Sequence, residues 1–182
     1  ILVFFQRKML DPDTKGTDII GPCQGSYPSY DWGSLAVWAW GAMRVADYLV
    51  GESWVEAPAG FPNVDPEMLI ISGHSRSGKT ALIVGAYDER FVMTNPNGSG
   101  CSGAGSFLIQ SAFSENIGIM ASKRLYKSWF QEDFHQFAWK EKNLPFDQHY
   151  IRVLIAPRLI LSTDALGDFW SNPSGTQAMY EA

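Results

Sequence analysis

Residues 73–80 read Gly-His-Ser-Arg-Ser-Gly-Lys-Thr and follow directly on the apolar run Met68-Leu69-Ile70-Ile71. The octapeptide fits two unrelated chemistries. As G-x-x-x-x-G-K-T it spells a phosphate-binding loop, in which backbone N–H groups and Lys79 cradle a nucleotide. As G-x-S followed by small residues it is a nucleophile elbow, with Ser75 held up on a tight strand-to-helix turn. Both demand a strand before and a helix after, so the rest of the chain has to separate them.

The pattern on either side alternates strands with helices. Ser34–Val50 carries apolar residues at helical spacing, with Asp31 or Ser34 placed to cap it and Gly51 where a C-terminal cap belongs. Short strands are expected at Met68–Ser72, Phe91–Thr94 and Leu159–Ser162, and helices at Ser77–Tyr87 and from Thr176 onward. Residues 115–139 read as mixed helix rich in aromatics. Residues 11–31, 54–66, 95–105 and 164–175 read as loop, the third with four glycines that imply close packing against something. Such alternation argues for an α/β fold with a parallel sheet covered on both faces.

The chain has 182 residues, enough for a single domain over 1–182. It is 46% apolar and 18% charged, a globular balance, and 14% aromatic with seven tryptophans. Most of those rings should fill the core, while some are candidates to line a carbohydrate site. The net charge of −5 and the lack of a basic stripe argue against a nucleic-acid partner. No apolar run approaches the roughly 20 residues of a membrane span, and no signal peptide is visible. Ile1 opens the chain inside the apolar run Ile1-Leu2-Val3-Phe4-Phe5, which reads as a buried strand, so the chain is expected to be an internal fragment truncated at both ends. Cys23 and Cys101 define no disulfide framework and have no partner at zinc-ligand spacing, so no metal or cofactor is expected.

The phosphate-loop reading needs an acid at the end of an apolar strand to hold magnesium. Leu159–Asp164 is the candidate, with two polar residues intervening. The interior His74-Ser75-Arg76 is less glycine-rich than a phosphate nest prefers. The elbow reading uses more of the chain: Gly73 and Ser77 flank the serine at two residues' distance, and Asp164 and Asp168 follow a later strand, in the triad order Ser, acid, His.

At this point a resemblance becomes specific. Gly73-His74-Ser75-Arg76-x-Gly78-Lys79 resembles the nucleophile motif of the glucuronoyl esterases, carbohydrate esterases with the alpha/beta-hydrolase fold, a three-layer αβα sandwich. Trp38-Ala39-Trp40-Gly41, Asp88-Glu89-Arg90-Phe91, Asn97–Ala104, Leu144–His149, Ile155–Arg158 and Asp168-Phe169-Trp170 resemble further family segments in order. The likeness covers residues 30–182, and the first 25 residues do not fit clearly. It implies cleavage of the ester joining 4-O-methyl-glucuronic acid on xylan to lignin alcohols, by a protein that is secreted or periplasmic. It implies Ser75 as nucleophile, Arg76 as oxyanion donor, and Lys79, Glu115 and Trp170 as sugar-binding residues. Fungal members carry the triad acid as a glutamate at the position of Gly98, so the role passes to Asp168, with Asp164 as rival. His74, His135 and His149 are not expected to be the general base, which would lie after Ala182. An acetyl xylan esterase activity and a non-catalytic carbohydrate-binding relative are the alternatives.

Overall fold

The computed structural model describes residues 1–14, 21–51, 63–121 and 125–182. Parts of the loops expected over 11–31 and 54–66, and of the helix expected over 115–139, lie outside the described residues. The elements run α1 (Pro22–Ser26), α2 (Ser34–Val50), β1 (Leu69–His74), α3 (Arg76–Tyr87), β2 (Phe91–Asn97), α4 (Ile117–Met120), α5 (His149–Ile155), β3 (Leu159–Ile160) and α6 (Pro173–Glu181). The strands pair parallel in the order β1-β2-β3, and Asn97 and Thr163 form a further bridge beyond β3. Parallel pairing brings all three strand C-termini to one edge, which is where the elbow sits.

Helix α2 forms where the apolar periodicity places it and stops at Gly51, whose φ of 69° is left-handed and whose N–H donates to the Asp47 carbonyl. Its N-cap is Gly33 rather than Asp31 or Ser34. Ser34 is buried, and its hydroxyl accepts from Gln24 Nε2 at 3.2 Å. Ala39, Ala42 and Ala46 present a small-residue face to Leu69, Val84 and Phe91, which lets α2 lie close to α3 and the sheet. A second cluster joins Leu35 and Trp38 to Met120, Tyr126 and Trp129. Among the described residues the helical layer lies on one face of the sheet, with α3 packed on β1, β2, α2 and α5. Ile70, Ser72 and His74 on the opposite face of β1 are exposed.

Four expectations change. Ile1–Phe5 forms no strand: across a cavity from the open edge of β1 it makes no ladder with it, Ile1, Leu2 and Phe4 are exposed, and Phe5 packs on the α2 core. Strand β2 continues through Asn97, so Asn95–Asn97 belong to the sheet. The described residues of 115–139 hold α4 and short 3-10 turns in place of a long helix, because their aromatics, Phe130 and Phe134 among them, pack on one another and not along a helix stripe. Helix α6 starts at Pro173, whose fixed φ suits a first turn, with the Asn172 side chain capping Gly175 N–H. Among the described residues no helix is long and apolar enough to cross a membrane.

The exit of α3 is locked by charge. Asp88 accepts from Arg90 Nε at 2.9 Å and Nη2 at 2.7 Å, and Arg90 also reaches Asp47 of α2 at 2.8 Å. Burial pushes the Asp88 carboxyl up, but the Arg90 hydrogen bonds outweigh it and hold the group below its usual value. A carboxyl depressed on folding stabilises above its unfolded value near pH 4, and the contribution disappears as pH falls through the folded value. Asp88→Asn should therefore lower unfolding stability at pH 7 by about 1.5–3 kcal/mol, with the gap to wild type closing in denaturant melts as pH falls through the depressed folded value.

Candidate active site

Strand β1 ends at His74 and α3 begins at Arg76, so a single residue makes the turn. That residue, Ser75, has φ 55° and ψ −123°, a conformation that costs an L-residue on the order of 1–3 kcal/mol. Its amide donates to the Asn97 carbonyl at 2.8 Å, and its own carbonyl accepts from Gly78 and Lys79 N–H at 2.8 and 3.1 Å. The turn closes only around glycine: a Cβ on Gly78 would lie 2.9 Å from the Gly73 carbonyl and 3.0 Å from that of Asn97. This geometry excludes the phosphate loop. A nucleotide cradle needs several loop residues between strand and helix, whereas here Gly78-Lys79-Thr80 already lie within α3 and Lys79 points into the core.

Arg76 follows at the first position of α3, where a helix leaves its amides unpaired. Its guanidinium donates from Nη1 to Asp13 Oδ2 at 2.8 Å and lies 5.3 and 5.2 Å from the ring centres of Tyr126 and Trp129. Burial works against the charge, but the Asp13 hydrogen bond and field outweigh it and raise the guanidinium above its ordinary value. Arg7 Nη2 also binds Asp13 Oδ2 at 2.8 Å. Asp13 was invisible to sequence reasoning: it is one aspartate in a polar loop, 63 residues from its partner.

Lys79, open in the sequence to reading as a solvated helix residue, is 1% exposed. Its Nζ donates to the Ser99 and Cys101 carbonyls at 2.6 Å each and pairs with Glu115 Oε1. The glycine-rich loop is the object that packs closely here. Gly100, at φ 57°, leaves room for the Glu115 carboxylate, which a side chain at that position would strike. Burial pushes the Glu115 carboxyl up against the pull of Lys79. Burial also pushes the Cys101 thiol up to about 12; Cys101 and Cys23 are both buried and free. Glu115 N–H in turn donates to the Trp170 carbonyl at 3.0 Å, and the Trp170 ring is 46% exposed. Lys79, Glu115 and Trp170 thus form one connected unit.

Asp168 approaches the elbow from the loop after β3. Its Oδ2 lies 4.0 Å from where a Cβ on Gly98 would stand, and His74 Cε1 lies 3.3 Å from the same point. Asp164 is half-buried, its Oδ1 has no hydrogen-bond partner among the described residues, and burial first and then the Asp168 charge raise its carboxyl. Two of the three histidines are hydrogen-bonded elsewhere. His74 Nδ1 meets Asn97 Oδ1 at 2.6 Å; because the Asn97 amide nitrogen donates to Thr163, Nδ1 is the donor. His135 Nε2 meets the Lys127 carbonyl at 3.0 Å, and the His149 ring packs against Tyr150. Among the described residues none hydrogen-bonds the Ser75 hydroxyl, and no group of three His, Cys, Asp or Glu is placed to hold a metal ion.

The sequence matches the family described as glucuronyl esterase, fungi, over residues 4–182, so the N-terminal segment belongs to the match as well. A carbohydrate esterase from an unknown prokaryotic organism is 38% identical over 144 residues, 79% of this chain and 30% of that protein. A solved carbohydrate esterase family 15 glucuronoyl esterase from Caldicellulosiruptor kristjansonii superposes with a TM-score of 0.84 at 32% identity, covering 97% of this chain and 48% of that one. A serine-to-alanine variant of the Sporotrichum thermophile glucuronoyl esterase, solved with methyl 4-O-methyl-beta-D-glucopyranuronate, gives 0.79 at 25% identity, with the same 97% and 48% coverage. The fold class is that of these alpha/beta-hydrolase esterases. The chain spans about a third of the length of the curated relatives it matches and about half of the solved ones.

The buried pair makes a specific demand. Lys79→Met leaves the Glu115 charge uncompensated and should cost about 3–5 kcal/mol in chemical denaturation. The double variant Lys79→Met, Glu115→Leu should recover only part of that loss, since the unpaired charge is gone but the Ser99 and Cys101 carbonyls still lack their donor.

Proposed function

The chain belongs to the glucuronoyl esterase family, and from that premise we propose that the whole protein is a serine esterase cleaving 4-O-methyl-glucuronoyl esters between glucuronoxylan and lignin alcohols. The observation that carries this reading is the single-residue turn at Ser75, strained and set at the strand C-termini beside the Arg76 guanidinium. Ser75 Oγ attacks the uronate carbonyl carbon and forms a tetrahedral oxyanion. The Arg76 amide and guanidinium face that charge, and donors fixed in advance favour the transition state over the ground state. Asp13 holds the guanidinium in place. A histidine outside these 182 residues takes the serine proton and returns it to the departing alcohol, water then releases the acid by the same route, and Asp168 orients that histidine.

Of Lys79, Glu115 and Trp170, the exposed Trp170 receives the sugar, and the buried Lys79 and Glu115 hold the loop that carries it. All three Lys79 N–H groups are committed to protein acceptors, so Lys79 acts by fixing Glu115 and the 99–101 backbone, while the exposed Trp170 ring offers an apolar face to the uronate. The uronate ester in the Sporotrichum thermophile relative supports this substrate class. A polymeric substrate of the plant wall suits a secreted or periplasmic protein.

Ser75→Ala in the full-length protein should abolish hydrolysis of benzyl glucuronate while leaving the melting temperature within a few degrees; retained turnover removes the nucleophile assignment. Between the acids, Asp168→Asn should cut kcat by about 10⁴, the usual effect of neutralising a triad carboxylate. Asp164→Asn should cost far less. The reverse order in steady-state kinetics transfers the role to Asp164.

A further inference from the structure

The segment before α2 carries rings that the proposed reaction does not use. Tyr27 and Tyr30 stack with centroids 5.5 Å apart at 19°. Trp32 meets Tyr30 edge-on at 5.4 Å and Trp40 at 6.1 Å. Mutual packing fixes these rings, yet Tyr30 is 60% exposed and Tyr27 42%. Trp32 Nε1 is buried with no hydrogen-bond partner among the described residues. A cavity of about 290 Å³ opens beside Tyr30 and Trp32, its other walls including Asp31, Lys127, Gln131 and Glu132.

We propose that this aromatic-walled cavity is a second carbohydrate subsite that holds a neutral pyranose of the xylan main chain. The inference rests on the esterase reading for the identity of the polymer. A pyranose presents an apolar C–H face, which a rigid exposed ring covers at low entropic cost, and a rim of hydroxyls, which amides and carboxylates satisfy. Tyr30 and Trp32 supply the first, and Asp31, Gln131 and Glu132 supply the second. An aryl ring of lignin is the poorer occupant, because it would bury those polar groups without returning their hydrogen bonds.

The position fits a polymer bound at the ester. One short turn serves both places: Tyr126 and Trp129 lie under the Arg76 guanidinium, while Lys127, Ser128 and Phe130 line the cavity. A main chain whose uronate branch reaches Ser75 passes over that turn into the cavity. The subsite then adds affinity for the polymer without touching the reacting atoms.

The test uses the full-length protein, with Tyr30→Ala and Gln131→Ala as separate variants, both at exposed positions outside the proposed catalytic and uronate-binding residues. Xylohexaose, which carries no uronate, should quench tryptophan fluorescence saturably, and each variant should weaken that binding about three- to tenfold, the ordinary worth of one aromatic or hydrogen-bonded contact. Hydrolysis of benzyl glucuronate should be unchanged in both variants, while KM for esters carried on xylo-oligosaccharides rises with little change in kcat. Absence of saturable xylohexaose binding, or binding indifferent to both substitutions, overturns the subsite. So does a response to coniferyl alcohol without one to xylohexaose. If wild type binds xylohexaose through these residues but leaves benzyl glucuronate intact, the esterase reading fails and the subsite stands.

Discussion

A buried ammonium holds the elbow to everything around it. Lys79 sits one turn into α3 and anchors the Ser99 and Cys101 carbonyls together with the Glu115 carboxylate. Through Glu115 the same unit reaches the Trp170 carbonyl, and so the loop that carries Asp168. The Ser75 conformation is costly and persists only where its surroundings leave no alternative. The Asn97 carbonyl fixes one side of the turn, and the Lys79 cluster fixes the helix that leaves it. A buried ion pair contributes little net stability against an apolar pair of the same size. Its use here is to set the register of three loops around one serine.

The elbow was legible in the sequence because its causes are local: glycines where the backbone crosses itself, a strand before and a helix after. The cap at Gly51 and the span of α2 were legible for the same reason. Lys79, Glu115 and Trp170 were legible only through family likeness, since one residue in α3 and two on separate loops share no periodicity. Asp13 was not legible at all. Its partners Arg7 and Arg76 are brought to it by the packing of Trp38 and Trp129, a tertiary fact without a sequence signature. The Ile1–Phe5 segment misled for the complementary reason. Apolar composition suits a strand, but it does not distinguish pairing at the open edge of β1 from the packing of one ring, Phe5, on α2.

The proposed placement of the acid at Asp168 follows from space. A glutamate at position 98 would send its side chain into the volume that Asp168 Oδ2 already approaches. The two arrangements are alternatives, because two carboxylates in that volume would each raise the other's proton affinity. The pair Asp164 and Asp168 shows the effect in milder form: burial first, and then the Asp168 charge, raise the Asp164 carboxyl against the pull of Arg152.

In the proposed reaction, with Arg76 as oxyanion donor, the charge on Arg76 must survive its own anchor. A carboxylate beside an oxyanion donor would cancel the field that the donor exists to supply. Asp13 Oδ2 is shared with Arg7 at the same 2.8 Å, so two guanidiniums answer one carboxylate and the cluster keeps a net positive charge. The rings of Tyr126 and Trp129 beneath Arg76 hold its plane without adding opposing charge. The guanidinium fork presents five N–H donors; Asp13 engages it through Nη1 and the Tyr126 hydroxyl accepts from Nη2 at 3.4 Å, which leaves the remaining N–H groups for an approaching oxygen. Fixing a donor costs part of its field and removes the reorganisation that a free arginine would undergo as charge develops. In a partly buried site the second effect outweighs the first, because preorganisation is what separates transition-state binding from mere attraction.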